Sequence, residues 1–347
     1  MSKHKKYMRR CIELAKLGLG NTYPNPMVGS VIVYKKKIIG EGWHREAGQP
    51  HAEVNAIESV TDNSLLKKAT IYVSLEPCSH FGKTPPCADR IISEGIPKVV
   101  IGSVDPNPKV AGNGIQKLID AGCKVKSGIL KEECDTLNKR FFTYHQLKRP
   151  YIILKWAETK DGFIAPLKRD EQKPVWITNE LSRQRVHKMR AEEQAILIGT
   201  NTALEDNPSL TVRDWEGTSP TKILIDRNLK VSEDFKIFRD EKPVLVFTSE
   251  NKKDTNHSLY IKVDFERDLA PQICNSLFER GIQSVIVEGG AQTLQSFIDM
   301  DLWDEAFVFQ GKGSFESGVA RPKIEGTQIS EEKIEDDLLI HYKKPAP

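Results

Sequence analysis

His51-Ala52-Glu53 is followed in order by Pro77-Cys78 and then, across Ser79 to Pro86, by Cys87. One imidazole nitrogen and two thiolate sulfurs form a three-ligand set for zinc. Zinc held by three protein ligands keeps its fourth tetrahedral position for water, which separates a catalytic site from a closed four-ligand structural one. The metal lowers the pKa of that water toward about 7. Glu53 lies two residues beyond His51, where a carboxylate reaches the water without ligating the metal, so it is the natural proton shuttle. Such parts perform hydrolytic deamination: hydroxide attacks a ring carbon bearing an exocyclic amine, and ammonia leaves. Two plainer readings stand beside this one. Free cysteines are commonly buried for packing alone, and the same trio could hold a structural zinc. The joint spacing with Glu53 and Pro77 favours the catalytic reading.

Such a site needs a rigid domain, and the chain is long enough for about two. Its 347 residues are 39% hydrophobic and 29% charged, an ordinary globular composition. The 51 basic and 48 acidic residues give a formal charge of +3 and alternate along the chain, which argues against a nucleic-acid partner. The basic start MSKHKKYMRR is followed by Glu13 and Lys16, which interrupt the apolar stretch a signal peptide requires, so a cytoplasmic protein is expected. No segment approaches the roughly 20 apolar residues that span a bilayer. Six cysteines are too few for a disulfide scaffold.

Periodicity places a helix over 5–18, then a turn at Pro24-Asn25-Pro26, strands at Val28–Val33 and Lys37–Gly42, and a helix over His51–Ser59 with His51 at its N-terminus. Strand Ala69–Leu75, helix Cys87–Gly95, strand Lys98–Ser103, helix Gly114–Ala121, strand Lys124–Gly128 and a helix over Glu132–Gln146 follow. This alternation predicts a three-layer α/β domain. Lys148-Arg149-Pro150 ends it, giving domains of 1–147 and 148–347. The second domain repeats the alternation, with a helix near Glu180–Ala191 and strands at Tyr151–Ala157, Ala195–Gly199, Lys222–Asp226, Val244–Thr248, Leu259–Val263 and Ser284–Glu288. It carries no G-x-G-x-x-G after a strand. It does carry Val287-Glu288-Gly289-Gly290 running into a helix at Ala291, where backbone amides could meet a phosphate. A tight strand-to-helix turn that needs glycine explains the same residues.

The H-x-E and Pro-Cys elements resemble the signature of the cytidine-deaminase superfamily, but eight residues rather than two separate the cysteines. Pro24-Asn25-Pro26-Met27-Val28-Gly29, His44, His51-Ala52-Glu53 and the stretch Pro77-Cys78-Ser79-His80-Phe81-Gly82-Lys83-Thr84-Pro85-Pro86-Cys87 occur in order. Together they resemble the bifunctional riboflavin-biosynthesis deaminase/reductases, and the likeness runs along essentially the whole chain. The resemblance implies a cytidine-deaminase-like N-terminal domain and a dihydrofolate-reductase-like α/β C-terminal domain. It implies deamination of a phosphorylated diaminopyrimidine, then reduction of its ribose, with Zn2+ and NADPH as cofactors and a homo-oligomeric assembly.

The same resemblance puts deaminase substrate contacts on Asn25, His44, Lys83, Asp105 and Asn107, and leaves His80 off the metal. Asn25 and Asn107 also fit ordinary turn chemistry before proline. In the second half, Lys155-Trp156-Ala157, Trp176-Ile177-Thr178, Arg190, Asn201-Thr202, Asp206-Asn207-Pro208, Leu210 to Arg213 and the Glu288 segment match in order. They imply NADPH near Ala157, Trp176, Thr202, Asp206 and the run Gly290, Ala291, Gln292, Thr293, Leu294, Gln295 and Ser296. They imply substrate near Lys155, Arg190, Leu210, Arg213 and Glu288. Arginines suit a phosphate-bearing substrate because guanidinium presents paired donors. Two positions depart from the family: Pro174 and Arg227 stand where it often has serine.

Overall fold

A computed structural model of the chain describes residues 3–81, 85–107, 110–168 and 171–345. It divides into two compact units, Met1–Lys148 and Arg149–Pro347.

The first unit is built on a five-stranded sheet. Strand β1 (Gly29–Tyr34) pairs antiparallel with β2 (Lys37–Trp43) and β3 (Thr70–Leu75); β3 then runs parallel to β4 (Lys98–Ser103), and β4 to β5 (Lys124–Lys126). Helices α1 (Lys3–Lys16), α2 (Ala52–Glu58), α3 (Cys87–Ser93), α4 (Asn113–Asp120) and α5 (Lys131–Leu137) pack on it, and α6 (Lys139–Leu147) follows α5. Strand residues alternate faces. Ile32, Ile71, Val73, Val99 and Ile101 pack under Ala56, Ile57, Ala88, Ile91 and Leu118 of α2, α3 and α4. Val31, Val33, Tyr72 and Val100 pack on the other side under Tyr7, Met8, Cys11, Ile12 and Cys134 of α1 and α5. The expected three layers are present.

The continuous helix expected over Glu132–Gln146 is two helices broken at Asn138. The Asn138 side chain explains the break. It accepts the Met27 N–H and donates to the Met27 carbonyl, both at 2.8 Å, pinning the loop before β1.

The helix that carries the catalytic-type residues lies backbone to backbone on β2. A Cβ on Gly42 would stand 2.4 Å from the Ala56 nitrogen and 2.7 Å from the Ala52 carbonyl oxygen. Gly42→Ala must therefore push α2 away. We expect a loss of at least ~2 kcal/mol in the N-terminal unit, read as a lower Tm of its unfolding transition, with the C-terminal unit's transition unmoved.

The second unit holds a nine-stranded sheet. Its parallel part contains β6 (Tyr151–Glu158), β8 (Ala195–Gly199), β9 (Thr221–Ile225), β10 (Val244–Thr248), β11 (Ser258–Lys262), β12 (Ser284–Val287) and β13 (Glu305–Gln310), in the order β11-β10-β9-β8-β12-β6-β13. Antiparallel strands β16 (Asp337–Lys343) and β15 (Thr327–Ile334) extend it beyond β13. A separate pair joins β7 (Phe163–Pro166) to β14 (Gly318–Ala320). Helices α7 (Glu180–Glu192), α8 (Thr200–Asp206), α9 (Leu269–Glu279) and α10 (Ala291–Asp299) complete the unit. The central strands are apolar on both faces, as parallel strands covered on both sides must be. No helix among the described residues is long and apolar enough to cross a membrane.

Candidate functional site

In the first unit, strand ends and helix starts bring the chemistry together. His51 is the extended residue that precedes α2, Cys87 is the first residue of α3, and Cys78 lies in the loop that leaves β3. The His51 Nδ1 stands 3.6 Å from the Cys78 Sγ and 3.3 Å from the Cys87 Sγ, and the three ligand atoms lie within 4.8 Å of one another. The Cys87 N–H donates to the Cys78 sulfur at 3.3 Å, and the Ala88 N–H to the Cys78 carbonyl. The Cys78 thiol is pulled down, first by its hydrogen bond with Cys87 and then by His51, while Cys87 is pushed up. The pair gives up its first proton readily, as a metal-binding dithiol requires. Two sulfurs, one imidazole nitrogen and burial fit a zinc ion. His80 is exposed and stands outside the cluster formed by the described residues.

Glu53 sits in the first turn of α2, 3% exposed. Burial, and then the charge of Cys78, push its carboxyl up to about 7; a cation held on the three ligands acts in the opposite sense. His44 packs its ring edge-on against His51, with centroids 5.2 Å apart. Its Nδ1 lies 3.2 Å from the Pro50 carbonyl, so that nitrogen carries the proton, and its Nε2 accepts from the Asn25 amide at 3.0 Å. Burial holds His44 below the usual imidazole range, keeping it neutral. Burial raises the Asp105 carboxyl, the hydrogen bond from the Asn107 N–H opposes this, and the charge of Glu76 adds to the rise. Its Oδ1 accepts the Asn107 N–H at 2.8 Å. The structure thus gathers Asn25 and His44 beside His51, and links Asp105 to Asn107. Lys83 lies outside the described residues.

In the second unit, a cavity of about 1100 Å³ opens where β6, β8, β9 and β12 end. Crevices beyond the carboxyl ends of parallel strands are where such sheets hold ligands. Glu288 leaves β12 into this cavity. Its carboxylate meets Lys155 Nζ at 2.8 Å and takes the Arg190 guanidinium through both oxygens at 2.9 and 3.1 Å. Burial alone would raise the Glu288 carboxyl, but Arg190 and Lys155 hold it down to about 2. Arg213 bonds Thr211 and Ser209, and its backbone N–H donates to His187 Nδ1 at 3.1 Å. Thr202 Oγ1 accepts the Gly290 N–H at 3.0 Å, fixing the glycine turn before α10. Ala157, Trp176, Asp206, Leu210, Ala291, Gln292, Thr293 and Ser296 also line the cavity.

Leu294 and Gln295 do not line it. Leu294 is fully buried in the core beneath α10, and Gln295 bonds Asp299 and Lys323. A helix turns each successive side chain onto a new bearing, so an unbroken run cannot face one cavity. Of the two departures, Pro174 lines the cavity, and Arg227 lines it while pairing with Glu266 at 2.6 Å. Sequence reasoning missed His187, whose Nε2 stands 3.3 Å from Asp214 and whose ring props the Arg213 segment. It also missed Glu76, whose carboxylate binds backbone amides of the Asp105 region and of α4.

Residues 1–103 match the cytidine and deoxycytidylate deaminase zinc-binding region, and residues 150–329 match the RibD C-terminal domain. The riboflavin biosynthesis protein RibD of Aquifex aeolicus is 40% identical over 98% of both chains. That of Bacillus amyloliquefaciens is 42% identical over 87% of this chain and 83% of its own. A crystal structure from Thermotoga maritima, described as a diaminohydroxyphosphoribosylaminopyrimidine deaminase/5-amino-6-(5-phosphoribosylamino)uracil reductase, superposes with a TM-score of 0.90 at 39% identity over 99% of each chain. With one unit carrying a deaminase's His-Cys-Cys cluster and the other a reductase domain's cavity, the chain belongs to the RibD family of bifunctional riboflavin-biosynthesis enzymes, deaminase first and reductase second.

Proposed function

We propose that the N-terminal unit deaminates 2,5-diamino-6-(5-phosphoribosylamino)pyrimidin-4-one. The C-terminal unit then reduces the ribose of 5-amino-6-(5-phosphoribosylamino)uracil to ribityl, with NADPH as cofactor. The observation that carries this is the convergence of His51, Cys78 and Cys87 on one point, with buried Glu53 one helical turn away at most.

His51, Cys78 and Cys87 would hold zinc. Zinc, when bound, supplies Lewis-acid activation of water. Glu53 accepts a proton from the attacking water and returns it to the departing amine, so the ring carbon exchanges its C–N bond for C–O and ammonia leaves. Neutral His44 and Asn25, joined by their hydrogen bond, offer a fixed polar edge for the pyrimidine, and Asp105 with Asn107 offers another. Lys83, which lies between the two cysteines in sequence, would supply an ammonium.

In the reductase, NADPH when bound supplies the hydride. The glycine turn fixed by Thr202 and the start of α10, which no side chain caps, suit its phosphates. Arg190 and Arg213 suit the phosphate of the substrate. Lys155, held by Glu288, presents an ammonium toward the reacting sugar.

Supplying the diaminopyrimidine with and without NADPH tests both halves. Ammonia should appear in either case, and NADPH should be oxidised only after deamination. Ammonia without NADPH consumption would sink the reductase reading, and no ammonia would sink the deaminase reading. Removing one ligand should separate the two: Cys87→Ala should lower bound zinc from one per chain to near none and abolish ammonia release. NADPH oxidation with the uracil intermediate should continue, and metal analysis beside the two assays checks this.

A further inference from the structure

Glu76 directly follows β3 and immediately precedes Pro77-Cys78; it is 4% exposed. Its Oε2 accepts the Asp105 N–H at 3.2 Å and the Gly112 N–H at 3.0 Å. Its Oε1 accepts the Gly114 N–H at 2.9 Å and the Ile115 N–H at 3.1 Å. The Glu76 N–H donates to the Ser103 carbonyl at 2.9 Å, which aligns the ends of β3 and β4. A buried carboxylate is costly unless its oxygens are filled. Here the start of α4, whose first amides have no partner within the helix, meets part of that need.

The consequence is mechanical. One side chain ties three segments together: the strand end that delivers Cys78, the turn at Asp105, and the first turn of α4. Gly114 makes the junction tight, because a Cβ there would stand 2.0 Å from the Pro77 carbonyl oxygen. Asp105 in turn accepts the Asn107 N–H, so the order of constraint runs from Glu76 through Asp105 to Asn107.

We propose that Glu76 is a positioning residue of the deaminase, fixing the Asp105–Asn107 turn at the height of the Cys78 loop so that the turn meets the pyrimidine. The proposal rests on the reading above that Asp105 and Asn107 face the substrate. A carboxylate is required, since each oxygen serves two donors. A carboxamide of the same shape has one oxygen and turns an NH2 toward the other pair.

The test uses the full-length zinc-loaded enzyme. In the unaltered protein, the amides of Asp105 and Gly112, which belong to no helix or strand, should exchange hydrogen as slowly as those of β3. Exchange at open-loop rates overturns the proposal even if no variant can be purified. Glu76→Gln should speed exchange at Asp105 and Gly112 and raise KM for the diaminopyrimidine about ten- to hundredfold. Its kcat should stay within about threefold, with one zinc per chain and unchanged NADPH oxidation on the uracil intermediate. A fall in kcat with KM and exchange unchanged overturns the proposal. Asp105→Ala separates the two layers. If it raises KM while Glu76→Gln does not, the proposal fails and the substrate reading stands; if it has no effect, the substrate reading fails and takes the proposal with it.

Discussion

Glu53→Gln abolishes ammonia release, by about 10²- to 10⁴-fold, the span that a positioned acid–base group contributes. The amide keeps the shape of the buried side chain, so the fold of α2 and the three ligand atoms beside it are retained. It cannot take and return a proton, however, and both halves of the exchange at the ring carbon need that. Zinc content should remain one per chain, and NADPH oxidation on the uracil intermediate should equal that of the unaltered enzyme. Deamination within about tenfold of normal would show that another group moves the proton, and the assignment of Glu53 would fall.

Removal of Glu288 has the largest expected effect in the second unit. Lys155 and Arg190 both point at this carboxylate, and the side chains of all three are mostly buried. Glu288→Ala leaves two cations facing each other with no counter-charge, and deleting one member of a buried pair costs about 3–5 kcal/mol. We expect a large drop in the Tm of the reductase transition, loss of NADPH oxidation and intact deamination. The pH dependence has a definite sign. The folded carboxyl titrates at about 2, below its ordinary 4.5, so its contribution to stability is complete above 4.5 and disappears as pH falls toward 2. Across that window the unaltered enzyme should lose on the order of 3 kcal/mol that Glu288→Ala does not lose. Urea titrations of both proteins at pH 5 and pH 3 capture about 2 kcal/mol of it, and equal losses would refute the coupling.

The zinc trio was legible because its information lies in residue type: histidine and cysteine are scarce, and each brings its ligand atom on its own side chain. The alternation of strands and helices was legible for a similar reason, since periods of two and 3.6 are written in the apolar residues themselves. What escaped reading depends on partners far along the chain. Glu76 is satisfied by main-chain amides, which every residue but proline possesses and which leave no mark on the sequence. His187 acts on the backbone of Arg213, across a loop. The helical period runs unbroken through Asn138, yet that side chain is drawn to Met27 and the helix ends there. Strand β15 went unread because its face is exposed along nearly its whole length, so no apolar alternation marks it.

The strand order of the second unit also sets a timetable for synthesis. Strand β6 is made first, yet both of its neighbours are late: β12 begins at Ser284 and β13 at Glu305. A ribosome delivering the chain from its N-terminus has long released the deaminase, whose β1 and β3 find each other within one short stretch. The apolar segment Tyr151–Leu154 must then wait, unpaired on both edges, until Val287 has emerged, and on one edge until β13 follows. Pairing over such separations is slow and leaves adhesive strand edges exposed meanwhile. The two halves of one polypeptide therefore mature on different clocks, and the reductase is the half whose strand edges stay exposed longer.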